Sequence, residues 1–365
     1  MQYDGSLCYK NKGFGMIDRI CHIGPALDVQ GGISSVLVSY KKLFGLSDKY
    51  FIASYNGSFL KSLPKLFLVC LKLLFGSHKH FDFYQIHTSS YGSFFRKYLI
   101  SLCLRSRKQK YTAHIHGSEF DKFCTGAPSI LKRIICHYFR KAKVIIVLSG
   151  EMETFLRNYD PSLNHFATVP NPGENIAANP VDLKKHELPV KIIFSGRFGK
   201  RKGVFDLLMA YHKAEFSVPV TLHLFGDGEI NKVKELVLQN GKKESIYVSP
   251  WLKHEEYIKQ LSSFDILVLP SYAERFSMSL VEALGMGIPV ISTFVGGTAE
   301  VVENNVCGFL HQPGDILALK NALEALVNDA DLRIRMGQAG WERASTRFTG
   351  TVVKGKIETV YQSIE

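Results

Sequence analysis

Short apolar runs alternate with longer amphipathic stretches along most of the chain, and this alternation constrains the fold more than any other feature. In the first half the strand-like runs fall at 17–23, 50–54, 82–87, 111–115, 143–148 and 165–169. Helical patterns at 33–45, 61–76, 92–107 and 128–142 lie between them. Such a rhythm builds a parallel sheet covered on both faces, because parallel neighbours need a long crossover. It breaks at 169–189, where Pro170, Pro172, Pro180 and Pro189 remove the apolar period. It resumes at 190–196, 220–226, 245–249, 265–270 and 288–293, and 316–363 reads as consecutive helices. The expected class is α/β, with two Rossmann-like parallel-sheet domains facing a central cleft. The N-terminal domain is expected at 16–173, a linker at 174–189 and the C-terminal domain at 190–349. A helix at about 350–365 should pack back on the first domain. A length of 365 residues suits two domains.

The charge is unevenly placed. Residues 1–180 hold 23 Lys and Arg against 11 Asp and Glu, whereas the remainder holds 22 of each, so the net +12 belongs to the first half. That half should face an anionic partner. No recognition-helix, zinc-finger or aromatic-basic strand pattern accompanies the charge, so nucleic acid is not expected. The seven cysteines are odd in number and lack C-x-x-C spacing, which argues for buried thiols in a reducing cytoplasm rather than disulfides or zinc. No apolar run is long enough to span a membrane. The first fifteen residues read as an extension without a signal-peptide core, with Met16 a possible start.

In open α/β sheets ligands bind beyond the carboxyl ends of the strands, so the loops that follow strands matter most. The run 190–195 leads into S-G-R-F-G-K-R-K-G (195–203) and then a helix. Glycines turn the backbone tightly, the helix N-terminus offers N–H groups to an anion, and Arg197 and Lys202 add charge: a diphosphate would satisfy all three. Read alone, the same segment also suits a solvated basic turn. The G-D-G-E turn (226–229) is weak by itself. After 265–269 comes P-S-Y-A-E-R-F-S-M-S-L-V-E-A-L-G-M-G-I-P-V, which places Glu274 in a loop and Glu282 on the following helix among Leu280, Val281 and Leu284. A carboxylate there is costly unless paired, and sugar hydroxyls or a ribose diol would pair it. A capping Glu274 and a surface Glu282 are the bland alternatives.

With these elements in order, the chain resembles the family 4 retaining glycosyltransferases of the GT-B fold. The likeness rests on Gly31-Gly32-Ile33-Ser34 after the first strand, His116-Gly117 after the fourth, the S-G-R-x4-K-G loop, the G-x-G-E turn, and the Glu274–Glu282 pair with its trailing residues. It implies that Glu282 holds the donor ribose and Glu274 contacts the donor sugar. Arg197 and Lys202 would neutralise the diphosphate leaving group. Backbone N–H groups of Phe276, Ser277 and Met278 would bind sugar or phosphate oxygens, and Gly32 would let the N-terminal loop approach the diphosphate. The base would lie against Trp251 and Leu252, and His116 near the anomeric centre. His114 is expected on the opposite face of its strand, as packing. Two departures stand out. Arg275 and Ser277 replace the family's usual glycines, which puts a cation beside the sugar site that could alter donor preference or bind an acidic group. Asn171-Pro172-Gly173 replaces the usual Asn-Gly, with an expected effect on hinge geometry.

The resemblance further implies a UDP- or GDP-linked sugar donor and a saccharide or lipid-linked acceptor in bacterial lipopolysaccharide, O-antigen or capsule synthesis. No cofactor is expected, and no metal, since Arg197, Lys202 and the helix at 203 supply positive charge and no D-x-D element lies in a suitable loop. Segments 63–75, 94–110 and 130–143 mix apolar residues with Lys and Arg, as helices lying on an anionic membrane do. A cytoplasmic protein, peripheral on the inner membrane face, is therefore expected. A GT-B-fold nucleotide-sugar epimerase and a non-catalytic subunit of a glycosylating complex are the rival readings.

Overall fold

The computed structural model describes residues 19–364 except 30, 58, 77–80, 174–175, 182–186 and 240. The predicted N-terminal extension and Cys8 lie outside the described residues. Two six-stranded parallel sheets form the molecule. The first comprises β1 (Ile20–Gly24), β2 (Phe51–Ala53), β3 (Phe83–Thr88), β4 (Lys110–Ile115), β5 (Ile145–Val147) and β6 (Phe166–Thr168). Its crossovers are α1 (Gly32–Phe44), α2 (Phe59–Phe75), α3 (Gly92–Ser106), the pair α4 (Phe120–Thr125) and α5 (Ser129–Lys141), and α6 (Gly150–Tyr159). The second sheet comprises β7 (Val190–Ser195), β8 (Val220–Phe225), β9 (Ile246–Ser249), β10 (Ile266–Leu269), β11 (Val290–Thr293) and β12 (Gly308–His311). Around it run α7 (Val204–Lys213), α8 (Ile230–Leu238), α9 (His254–Leu261), α10 (Met278–Gly285), α11 (Thr298–Val301), α12 (Ile316–Asn328) and α13 (Ala330–Arg347), before α14 (Gly350–Gln362) closes the chain.

Nearly every strand residue of β1, β3, β4, β10 and β11 is buried. That is why these strands read as continuous apolar runs rather than alternating ones. The strand orders are β2-β1-β3-β4-β5-β6 and β12-β11-β10-β7-β8-β9. Each order reverses direction once, between β1 and β3 in the first sheet and between β7 and β10 in the second. A parallel α/β sheet opens its ligand crevice at such a point, because the two flanking loops leave in opposite directions.

The last helix does not stay with the second sheet. Val353, Ile357, Val360 and Tyr361 of α14 share a buried cluster with Ile20, Val36, Tyr40 and Phe83 of the first. Between the domains, Ala177 donates its N–H to Gly285 O at 2.9 Å and accepts from the Trp341 indole at 2.9 Å, so this stretch runs along α10 and α13. The six described cysteines are free thiols. Among the described residues no helix is long and apolar enough to cross a membrane.

Candidate active site

The switch point of the second sheet is walled by the loops after β7 and β10, and packing holds those loops in place. Gly203 has φ +72°, and a Cβ there would lie 1.9 Å from Pro270 O. Any side chain would drive the 200–203 turn away from the 270–274 loop. Gly296, after β11, has φ +52°, and a Cβ there would meet Glu274 O at 1.8 Å. The backbone of Glu274 is thus backed by a glycine that the sequence reading did not single out, although the G-G pair after an apolar run was a usable signal.

These constraints bring Lys202 and Glu274 together. Lys202 Nζ donates to Glu274 Oε1 at 2.5 Å, and the Ser271 hydroxyl donates to the same oxygen at 2.8 Å. Glu274 is buried and the Lys202 side chain only 18% exposed. Arg197 is exposed, and its stem lies across Gly228, where a Cβ would be 3.1 Å from Arg197 Cγ. The S-G-R-x4-K-G loop and the G-D-G-E turn therefore touch, joined by a bridge between Phe198 and Gly228.

Glu282 sits on α10, buried, with His254 Nε2 at 3.7 Å from its carboxylate. Burial, with the Glu282 charge beside it, pushes the Tyr257 hydroxyl far above its usual range. Trp251 is 45% exposed, and Leu252 packs on the C-terminal core. Both precede His254, so the loop expected to meet the base and the carboxylate expected to meet the ribose adjoin. Phe276 and Ser277 are buried, and Ser277 caps α10 without a side-chain hydrogen bond. The first N–H groups of α10 are of the kind that lacks a partner within a helix.

Arg275 departs from its expected place. Its guanidinium is 4% exposed and turned away from an open sugar site, into the facing domain. Nε donates to Gly117 O at 3.0 Å, and Nη2 donates to Ser118 O at 3.2 Å and to Asp121 Oδ1 at 2.9 Å. The acidic group it binds is the protein's own. A second contact closes the same interface, where the Gly150 N–H at the start of α6 donates to Glu300 Oε1 at 2.6 Å. Burial raises the Glu300 carboxyl above its usual range, and the helix N–H groups oppose this. Arg275→Gly is expected to loosen the two domains without touching Lys202 or Glu282. Small-angle scattering should show a larger radius of gyration, with nucleotide affinity changed less than twofold.

His116 follows β4 and belongs to a stack. His87 Nδ1 lies 2.9 Å from His116 Nε2, and His22 Nδ1 lies 3.3 Å from His87 Nε2. Tyr361 donates to Gln85 Oε1, so the Gln85 amide donates to His114 Nδ1 at 2.8 Å. The expectation that His114 faces away from His116 is wrong. A strand has period two, so positions 114 and 116 share a face, and their ring centroids are 4.0 Å apart. Burial lowers the His116 and His22 pKa values to about 3 and those of His87 and His114 well below the usual range. These rings are neutral at pH 7. His87, His114 and His116 bring possible ligand atoms within 4.8 Å of one another, which makes them the metal-capable group among the described residues. In this structure those rings hydrogen-bond to one another and to Gln85.

Gly32 lines a cavity bounded by N-terminal residues alone.

The family model for glycosyl transferases group 1 matches residues 175–343, a span holding Arg197, Lys202, Glu274 and Glu282. The C-terminal domain matches the group 1 glycosyl transferases over that span. Among curated relatives of this chain, N-acetyl-alpha-D-glucosaminyl L-malate synthase of Bacillus anthracis is 29% identical over 174 residues, 47% of this chain and 45% of that protein. The capsular polysaccharide biosynthesis glycosyltransferase CapM of Staphylococcus aureus is 28% identical over 196 residues, 51% of this chain and 50% of that protein. The chain thus spans about half the length of these curated relatives. The crystal structure of Anabaena Alr3699/HepE in complex with UDP and glucose superposes with a TM-score of 0.75 at 18% identity, covering 94% of this chain and 99% of that one. The fold is the GT-B fold expected from the sequence.

Proposed function

We propose that this chain is a retaining glycosyltransferase that moves a sugar from a nucleoside diphosphate to an acceptor hydroxyl in bacterial surface-polysaccharide synthesis. The observation that carries the reading is the Lys202–Glu274 ion pair at the switch point of the second sheet, within the matched domain and next to Arg197. A cation and a carboxylate that neutralise each other can each take a new partner on one donor: Lys202 the diphosphate, Glu274 the sugar hydroxyls. Arg197 adds charge to the diphosphate, Glu282 takes the ribose, and the N-terminus of α10 faces sugar or phosphate oxygens. The base lies along Trp251 and Leu252. HepE is solved with UDP and glucose, which supports a UDP-linked donor, and CapM is named for capsular polysaccharide biosynthesis, which supports a polysaccharide product.

In the proposed reaction the bond between the anomeric carbon and the phosphate oxygen breaks, and the acceptor oxygen bonds to the same face of that carbon. The acceptor proton passes to the departing phosphate oxygen, and nucleoside diphosphate leaves. Arg197, Lys202 and the N-terminus of α7 stabilise the departing charge, so no divalent ion is required for that role. His116, neutral and held by His87, lines the N-terminal side. Rates unchanged by a chelator would support this division of labour, and a rate abolished by it would contradict it.

A panel of UDP and GDP sugars, scored for transfer to lipid-linked and saccharide acceptors with the product anomer read by NMR, tests the reading. Retention with one nucleotide is expected. Inversion, or epimer formation from donor alone, would refute it. Glu282→Gln is expected to weaken nucleotide diphosphate binding about tenfold, one charge-assisted hydrogen bond to the ribose being worth about 1.5 kcal/mol.

A peripheral membrane position on the cytoplasmic face belongs to the same proposal. Leu63, Phe67, Leu68 and Phe75 of α2, with Leu99 and Leu102 of α3, are exposed apolar residues on the basic half of the chain. They suit an anionic bilayer surface. Co-sedimentation with phosphatidylglycerol vesicles, lost in Phe67→Asp, is the expected outcome; equal recovery with and without vesicles would remove this part.

A further inference from the structure

The first sheet has its own switch point, between β1 and β3, and a cavity of about 260 Å³ opens there. Its wall carries the Gly31–Ser34 start of α1 from the β1 side. From the β3 side come Ser89 and Ser93 with the first turns of α3, including Arg96 and Lys97.

The basic groups of this wall lack an acidic counterpart, and two of its buried polar atoms have no hydrogen-bond partner. Lys97 is 1% exposed, and its Nζ donates to the Ser54 hydroxyl at 2.5 Å. Neither Lys97 nor Arg96 forms an ion pair among the described residues. Burial and the neighbouring Arg96 charge lower the Lys97 pKa to about 7. Arg96 lies over the Tyr55 ring at 4.8 Å, and its buried Nε has no hydrogen-bond partner. Ser34 Oγ, on a residue 3% exposed, is also buried without a partner. Gly31, the N-cap of α1, supplies no side-chain cap, and the first turn of α1 holds no acidic residue. Two basic side chains, an orphaned hydroxyl and an uncapped helix start therefore line one cavity with no carboxylate in its wall. A buried cation without a counter-ion is strongly unfavourable, and an anion in the cavity would relieve every one of these deficits.

The cavity also adjoins the proposed reaction centre. A Cβ on Gly117 would lie 2.9 Å from Ser89 Oγ, so the His116-Gly117 turn rests against its wall. We propose that this cavity binds a phosphate or carboxylate carried by the acceptor, so that the acceptor hydroxyl is presented to the donor by an anionic anchor held by Arg96, Lys97, Ser34 and the start of α1. The anchor's role in transfer rests on the glycosyltransferase reading, whereas its ability to bind an anion does not.

The test is calorimetric titration of inorganic phosphate into the full chain already saturated with UDP or GDP, whichever binds, so that any donor diphosphate site is filled. One phosphate per chain is expected, with affinity at least tenfold weaker in Lys97→Met and in Arg96→Gln. Nucleotide affinity of both variants should stay within twofold of wild type. Arg96 is only half-buried, so its variant keeps the test readable if Lys97→Met fails to fold. No phosphate binding to the nucleotide-saturated protein, equal binding in Arg96→Gln, or a tenfold loss of nucleotide affinity in Arg96→Gln would overturn the proposal, the last by giving the cavity to the donor. Displacement of phosphate by glycerol 3-phosphate would support a small soluble acceptor. Retention on phosphatidic acid vesicles that Arg96→Gln abolishes would support a lipid-borne one. If neither nucleotide binds the wild type, the glycosyltransferase reading fails, and phosphate titrated alone still reads the cavity.

Discussion

Lys202→Ala is expected to lower turnover about 10²- to 10³-fold, the usual loss when one preorganised donor to developing negative charge is removed. Donor-sugar identity should not change, because the hydroxyl contacts assigned to Glu274 and the base contacts at Trp251 are left in place. The same substitution should also destabilise the fold. Glu274 is buried and would keep the Ser271 hydroxyl as its side-chain donor among the described residues, a deficit worth about 3 kcal/mol for a largely buried pair. The two effects separate in the double variant Lys202→Met, Glu274→Gln. Neutralising both partners should restore most of the melting temperature and none of the turnover. If the double variant regained turnover with its stability, Lys202 would be a structural ion-pair partner and the phosphate role would be lost.

Acid should unfold this protein well above the pH at which carboxylates titrate. His22, His87 and His114 are fully buried, and each is depressed by burial, His22 to about 3 and the other two far below the usual value. Unfolded, they take up protons as pH falls through about 6.5. Folded, His22 stays neutral to about pH 3, and His87 and His114 stay neutral well below the usual imidazole range. The unfolded state therefore binds more protons throughout that window, and stability present above pH 6.5 is lost as pH falls. Three such groups approach a slope of about 4 kcal/mol per pH unit, against a total stability of about 5–15 kcal/mol for an ordinary domain. Urea midpoints taken from pH 7.5 to 5 should fall steeply below 6.5, with about three protons taken up on unfolding near pH 5. A flat midpoint across that range would mean that the stack is charged or open in solution.

Most of the fold could be read from the sequence because both sheets are parallel and doubly covered. Runs such as 190–196 and 265–270 are apolar on both faces, so their existence, though not their exact ends, is legible. β12 escaped because Gly308–His311 is four residues long at a sheet edge. α4 escaped at six residues, and α6 despite a Ser149 cap that accepts from the Met152 N–H. For the site, local spacing was enough to bring Lys202, Glu274 and Glu282 into one domain, since all three follow strands of one sheet. It could not reveal what Arg275 meets, because Gly117, Ser118 and Asp121 lie more than 150 positions away. The same holds for the histidine stack. Parallel registers of β1, β3 and β4 align His22 with Gln85 and His87 with His114, and no single segment of sequence contains that alignment. The error over His114 was different in kind, since the two-residue period of a strand was available and misapplied.

The most direct test of the donor site compares nucleoside diphosphate with nucleoside monophosphate in calorimetric titrations of the wild type and Lys202→Met. If Lys202 grips the second phosphate, the diphosphate should bind the wild type at least tenfold more tightly than the monophosphate, and that advantage should largely vanish in the variant. An undiminished preference for the diphosphate in Lys202→Met would contradict the assignment on which the proposed function rests.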